Sequence, residues 1–99
     1  MKIHQDVWVA ESTYKAAGGL IRATAIIRQN RLHDISISGD FTFHPQPRFR
    51  DFELHLKNLP LDRKTIESSI TTFYQTNAIQ TPGIEIEDWI KVILGLKNQ

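Results

Sequence analysis

The side chains able to do acid–base, metal or phosphate chemistry are few in this chain, and scattered. His33-Asp34 is the one adjacent histidine–acid pair. Neighbouring side chains of a strand point to opposite faces, so the two cannot close into a dyad. His4, His33, His44 and His55 show neither an i, i+4 nor an H-x-H spacing, and they read as surface histidines, not metal ligands. Glu85, Glu87 and Asp88 crowd what reads as a helix start, where carboxylates complement the positive end of the helix dipole. Paired acid–base work by them is the lesser reading. Arg48 and Arg50 could fork onto phosphate oxygens, but Phe49 between them falls on an apolar stripe. The two arginines then read as solvated flanks of a buried ring.

A second group sits around glycines. Gly18-Gly19 resembles a phosphate-binding turn only superficially, because those fingerprints need several glycines between a strand and a helix, and here a strand follows. Lys15 stands just before it, where a cation beside bare backbone N–H groups can face an anionic ligand or a partner's site. The alternative is an ordinary surface lysine. Asp40, after Gly39, reads as a residue that stabilises its own turn. Whether Lys15 and Asp40 meet depends on strand order.

The elements that must position these residues follow from periodicity. Leu32 to Ser38 alternates Ile35 and Ile37 with Asp34, Ser36 and Ser38, the mark of a strand with one buried face. Leu20 to Arg28 puts Ile21, Ala23, Ala25 and Ile27 on one face. Gln29-Asn30 between them sits where a two-residue hairpin turn belongs. Val7 to Tyr14 has high β-propensity and makes a first strand, with Trp8, Ala10 and Tyr14 on one face. Lys15-Ala16-Ala17 connects it to the glycines. The expectation is a three-stranded antiparallel meander.

After Phe43 the period changes. His44-Pro45-Gln46-Pro47 breaks the chain. Phe49, Phe52, Leu56 and Leu59 then form one helical stripe that Pro60 should close. Asp62 is placed as the N-cap of a second helix, with Glu67 near its positive end and Ile66, Ile70 and Phe73 inward. Asn77 to Gly83 reads as a loop. Ile86, Trp89, Ile90, Ile93 and Leu94 mark a third helix, with Gly95 near its C-terminus. Strands followed by helices predict an α+β fold with about three helices on one face of the sheet.

Composition bounds the rest. Ninety-nine residues suit one domain, 1–99, that buries about 60–65% of its unfolded surface. A net charge of +1 gives no electrostatic case for nucleic acid or an anionic membrane as partner. The chain has no cysteine, which excludes disulfides, thiolate nucleophiles and Cys-based metal sites and fits a cytoplasmic protein. No apolar run reaches the length of a membrane span. The first six residues lack the apolar core of a signal peptide and read as a natural start.

Taken together, Lys15-x-x-Gly18-Gly19-Leu20-Ile21, the hairpin, and Ile35-Ser36-Ile37-Ser38-Gly39-Asp40-Phe41 resemble the C-terminal domain of bacterial lipoate–protein ligases. They are still closer to the separate small subunit that takes its place in some archaeal ligases. The resemblance covers about residues 12–96. It implies a fold related to that of iron–sulfur scaffold proteins (SufE/NifU-like), and an accessory, lid-like subunit with no complete active site of its own. By the same resemblance a separate catalytic large subunit would use ATP, Mg²⁺ and lipoate to form lipoyl-AMP. It would then lipoylate a lysine of an acceptor domain in 2-oxoacid dehydrogenases (E2) or the glycine cleavage system (H protein). Lys15, Gly18, Gly19, Gly39, Asp40 and Phe41 match the recurrent positions and are candidate ligand- or partner-site residues. Asn30 departs from the glycine common at the family's hairpin turn. The alternative is a non-catalytic scaffold or binding module of the same fold, unrelated to lipoate.

Overall fold

A computed structural model of the chain describes residues 2–4 and 7–96, the first three by their backbone. Four strands, β1 (Lys2–His4), β2 (Val7–Ala16), β3 (Gly19–Arg28) and β4 (Arg31–Gly39), are followed by three helices. These are α1 (Arg48–Leu56), α2 (Arg63–Asn77) and α3 (Ile86–Gly95). The sheet is antiparallel in the order β1-β2-β3-β4. The three long strands are the predicted meander. The short β1, pairing only at Val7 and Trp8, adds a fourth strand that the sequence reading did not contain.

Alternation places the core. Ala10 and Ala16 of β2, Ile21, Ala23, Ala25 and Ile27 of β3, and Leu32, Ile35 and Ile37 of β4 are all buried on the helix-bearing face. Trp8 shares the parity of Ala10 but stays 39% exposed, so parity alone did not predict its burial. Leu32 and Ile35 both point inward although three positions apart. The register shift opposite Ile26/Ile27 accommodates this by inserting one extra residue in β4, a bulge that leaves His33 and Asp34 both exposed. The expectation that these two would lie on opposite faces therefore fails at this point, yet no contact joins them. Gln29 and Asn30 form the β3–β4 turn with φ of 53° and 61°, as a two-residue hairpin requires.

The helices start largely where the side chains direct. Asp62 accepts the Thr65 N–H at 3.0 Å and caps α2. Glu67 lies one turn too late to face the helix end, and the first turn of α2 carries no acid. Asp88 reaches back to the Glu85 N–H at 2.7 Å at the start of α3. Arg63 and Glu87 join these two helix starts as an exposed ion pair that holds the Glu87 carboxyl below its usual range. The helix α1 begins directly after Pro47, beyond a cis His44–Pro45 peptide.

One expectation for a helix end is corrected. Pro60 does not close α1. The helix stops at Leu56, Asn58 turns the backbone at φ 70°, and Leu59 leaves the helical stripe to run beside β4. Gly95 stands at the C-terminal end of α3, as expected. It lies inside the last turn of α3, where a Cβ would strike the Ser12 hydroxyl of β2, so its service is to let helix and sheet approach.

The outer edge of β4 is closed by the α1–α2 connection and by α1 itself. Leu32 donates its N–H to Leu59 O at 2.9 Å, and its carbonyl accepts from Asn58. Ile37 donates to Glu53 Oε2 at 2.7 Å. Glu53 is buried, and its other oxygen faces Arg50 at 3.3 Å. A carboxylate thus does at this edge what a neighbouring strand would do. Glu53→Ala should cost about 1–3 kcal/mol, because the Ile37 N–H loses its partner in a buried place. Glu53→Gln keeps an acceptor and should cost less; urea unfolding of the two variants checks the difference.

Candidate functional site

The glycine-rich ends of β2, β3 and β4 meet at one end of the sheet. Asp40 lies beside the start of β3. Its Oδ1 accepts the Leu20 N–H at 2.5 Å, and its own N–H donates to Leu20 O at 3.3 Å. Asp40 therefore does not brace its own turn, as the sequence suggested; it locks β4 onto β3. Gly39 makes this approach possible. Its φ is +151°, and a Cβ there would overlap the Leu20 carbonyl oxygen. Gly19 faces the same carboxylate, 2.6 Å from where its own Cβ would stand.

Gly18 turns the other way. In the two-residue β2–β3 turn its N–H donates to Gly83 O at 2.8 Å, and a Cβ would run into the Pro82 carbonyl. The loop before α3 is held in place from the core side. Trp89 is fully buried and donates its indole N–H to the Tyr74 hydroxyl at 2.6 Å. Thr81 donates to Ile84 O at 3.0 Å, which leaves its oxygen to accept from Tyr74 at 2.7 Å. Burial pushes the Tyr74 phenol up from its usual range, only partly offset by its bonds with Thr81 and Trp89. These three side chains carried no signal in the sequence, since the bonds that join them to one another span seven and fifteen residues.

Lys15 is exposed and stands opposite Leu20 in the β2–β3 ladder. Leu20 in turn touches Asp40, so the sheet places Lys15 and Asp40 on either side of one residue. They stay two strand spacings apart, about 10 Å between backbones, and do not form an ion pair with each other. Phe41 leaves the sheet and packs edge-on to Trp89 at 5.3 Å and against Phe49 at 5.9 Å. Phe43 follows it into the same cluster, 5.2 Å from Phe49. Beside Gly39 the rings of Phe41, Phe43 and Phe49 line an open groove of about 530 Å³ with Ile37, Pro47 and Arg50 at its walls. Arg48 and Arg50 flank the half-buried Phe49, each bound to an acid three residues on, Asp51 and Glu53.

The six candidates thus divide. Gly19, Gly39 and Asp40 form one contact; Lys15 lies across β3 from Asp40; Gly18 and Phe41 anchor the same sheet end to the α3 loop and to the aromatic core. Among the described residues no group of three or more His, Asp or Glu side chains could hold a metal ion. His55 instead shares a hydrogen bond with the Ser69 hydroxyl at 2.8 Å, and the side chain of His4 lies outside the described residues. Among the described residues no helix is long and apolar enough to cross a membrane. What the sheet end offers is an exposed cation, backbone held open by glycines, and an apolar groove, an arrangement that can cover or complete another site.

Gly39→Ala should be among the costliest small substitutions in the chain, about 2 kcal/mol or more, because the new methyl meets backbone at a positive φ. Thermal unfolding measures it, with Ala17→Gly in the neighbouring turn as a mild control.

Residues 10–93 match the family described as bacterial lipoate protein ligase C-terminus. The chain is 39% identical over 80 residues to lipoate-protein ligase A subunit 2 of Thermoplasma acidophilum, covering 81% of this chain and 82% of that one. Its fold is similar, with a TM-score of 0.79 and 34% identity, to a chain from the structural analysis of an archaeal lipoylation system. That work concerns a bi-partite lipoate protein ligase and its E2 lipoyl domain from the same organism. The likeness covers 88% of this chain and 96% of that one.

Proposed function

The chain belongs to the family of bacterial lipoate protein ligase C-termini, and from that premise we propose that it is the accessory subunit of a two-chain lipoate–protein ligase. The supporting observation is its likeness to a ligase subunit along 82% of that subunit's length. In this reading a separate catalytic subunit binds ATP, Mg²⁺ and lipoate and forms lipoyl-AMP. The two chains together then serve a lipoyl acceptor domain, in the cytoplasm.

The accessory chain contributes as a lid. Lipoyl-AMP is a reactive mixed anhydride, and closing a second polypeptide over it excludes water and completes the surroundings of the reacting phosphate. The glycine-edged end of the sheet is the part that faces the catalytic subunit. Lys15 supplies a positive charge toward the anionic nucleotide, while Gly18, Gly19, Gly39, Asp40 and Phe41 set the backbone that carries it.

Adding the purified chain to a catalytic subunit that lacks this domain should raise ATP-dependent lipoyl-AMP formation. Equal adenylation with and without the chain overturns the proposal. Lys15→Ala should slow the adenylation step by about tenfold, the worth of one charge-assisted contact, and slow transfer from preformed lipoyl-AMP much less. An equal loss in both steps would remove the lid mechanism.

A further inference from the structure

Among the described residues β1 lies beside β2 only at Val7 and Trp8, and from Ala10 to Ala16 the outer edge of β2 has no strand next to it. Hydrogen bonds on the far side of the sheet fix which backbone groups point there. Ile37 turns its N–H away from β3 toward Glu53. Its cross-strand partner Ala23 must then turn its own N–H and C=O toward β2, where it pairs with Ser12. Ser12, Tyr14 and Ala16 therefore bond to β3, while Glu11, Thr13 and Lys15 hold their backbone donors and acceptors out to the open edge. The side chains of these last three are exposed.

We propose that this edge takes a second copy of the chain, joined antiparallel at β2 about a two-fold axis through Thr13. The edge is self-complementary in that register. Thr13 is the midpoint of the open stretch, so each copy covers the whole of the other's free edge and stops short of β1. Glu11 comes opposite Lys15 of the second copy, Lys15 opposite Glu11, and Thr13 opposite Thr13, all favourable cross-strand pairs. All three positions present outward-pointing backbone, so every bond in the register joins groups already aimed at each other. A shift by one residue would oppose outward to inward groups. A shift by two would bring no acid opposite a base. The interface is isologous, with the same patch used on both sides; it does not rest on the ligase reading, and because it engages Lys15 it belongs to the chain free of a catalytic subunit.

Sedimentation equilibrium on the isolated full-length chain should give twice the 11.4 kDa monomer mass. Glu11→Lys places like charges in both cross-strand pairs, and so does Lys15→Glu. Each variant alone should dimerise about tenfold more weakly or worse. Mixed in equal amounts, the two variants should recover the dimer, because every pair is again of opposite sign. Circular dichroism checks that each variant is folded, and the mass of the unaltered chain tests the proposal without any variant. A monomer up to about 1 mM overturns it. So does a dimer that both variants retain, or a mixture that stays monomeric.

Discussion

The bond from the Trp89 indole to the Tyr74 hydroxyl is the constraint from which most of the architecture follows. A fully buried indole must give its N–H to an acceptor or bear the desolvation penalty, and here the acceptor belongs to the neighbouring helix. The phenol passes its own proton to Thr81, which fastens the loop leading into α3. Trp89 also contacts Phe52 of α1 at 5.0 Å and Phe41 at 5.3 Å. One side chain thus joins all three helices and the segment leaving the sheet. The exposed end of the sheet inherits its position from this polar thread through an aromatic core, since Gly18 leans on the loop that Thr81 holds.

That arrangement explains why the chemistry-bearing side chains of this protein contribute so little chemistry. Glu53 is spent on a backbone N–H, Asp40 on another, Asp62 and Asp88 on helix ends, and Arg48 and Arg50 on acids three residues away. Lys15 is a charge at the candidate end not committed in this way. A domain so organised suits a role in which geometry is supplied to another polypeptide's reaction.

Much of this was legible in local spacing. The inward set of β3, the hairpin turn at Gln29-Asn30, the Asp62 cap and the Ile66, Ile70 and Phe73 stripe depend on residues within one turn or one strand. What stayed hidden depends on distant partners. The bulge at His33-Asp34 shows only once Leu32 is seen buried beside Ile35. The end of α1 at Leu56 is decided by the pull of β4 on residues 58 and 59, and Pro60 merely follows. Gly95 ends α3 as its place suggested, but its close approach to Ser12 of β2 depends on how helix and sheet pack. Glu53 carried no signal at all, because an acid on a helix face is ordinary until a strand edge lies against it. Asp40 stood out for its place just after Gly39, but its partner is Leu20, twenty residues back.

The closure of β4 has a consequence for how copies of this protein can add to one another. A sheet with two bare margins is a monomer for a fibre, since each addition exposes a fresh template. Here one margin is occupied by the chain's own connection and by a buried carboxylate, so the molecule has a valence of one. Any growth by sheet continuation ends after a single step, in a closed particle and not a filament.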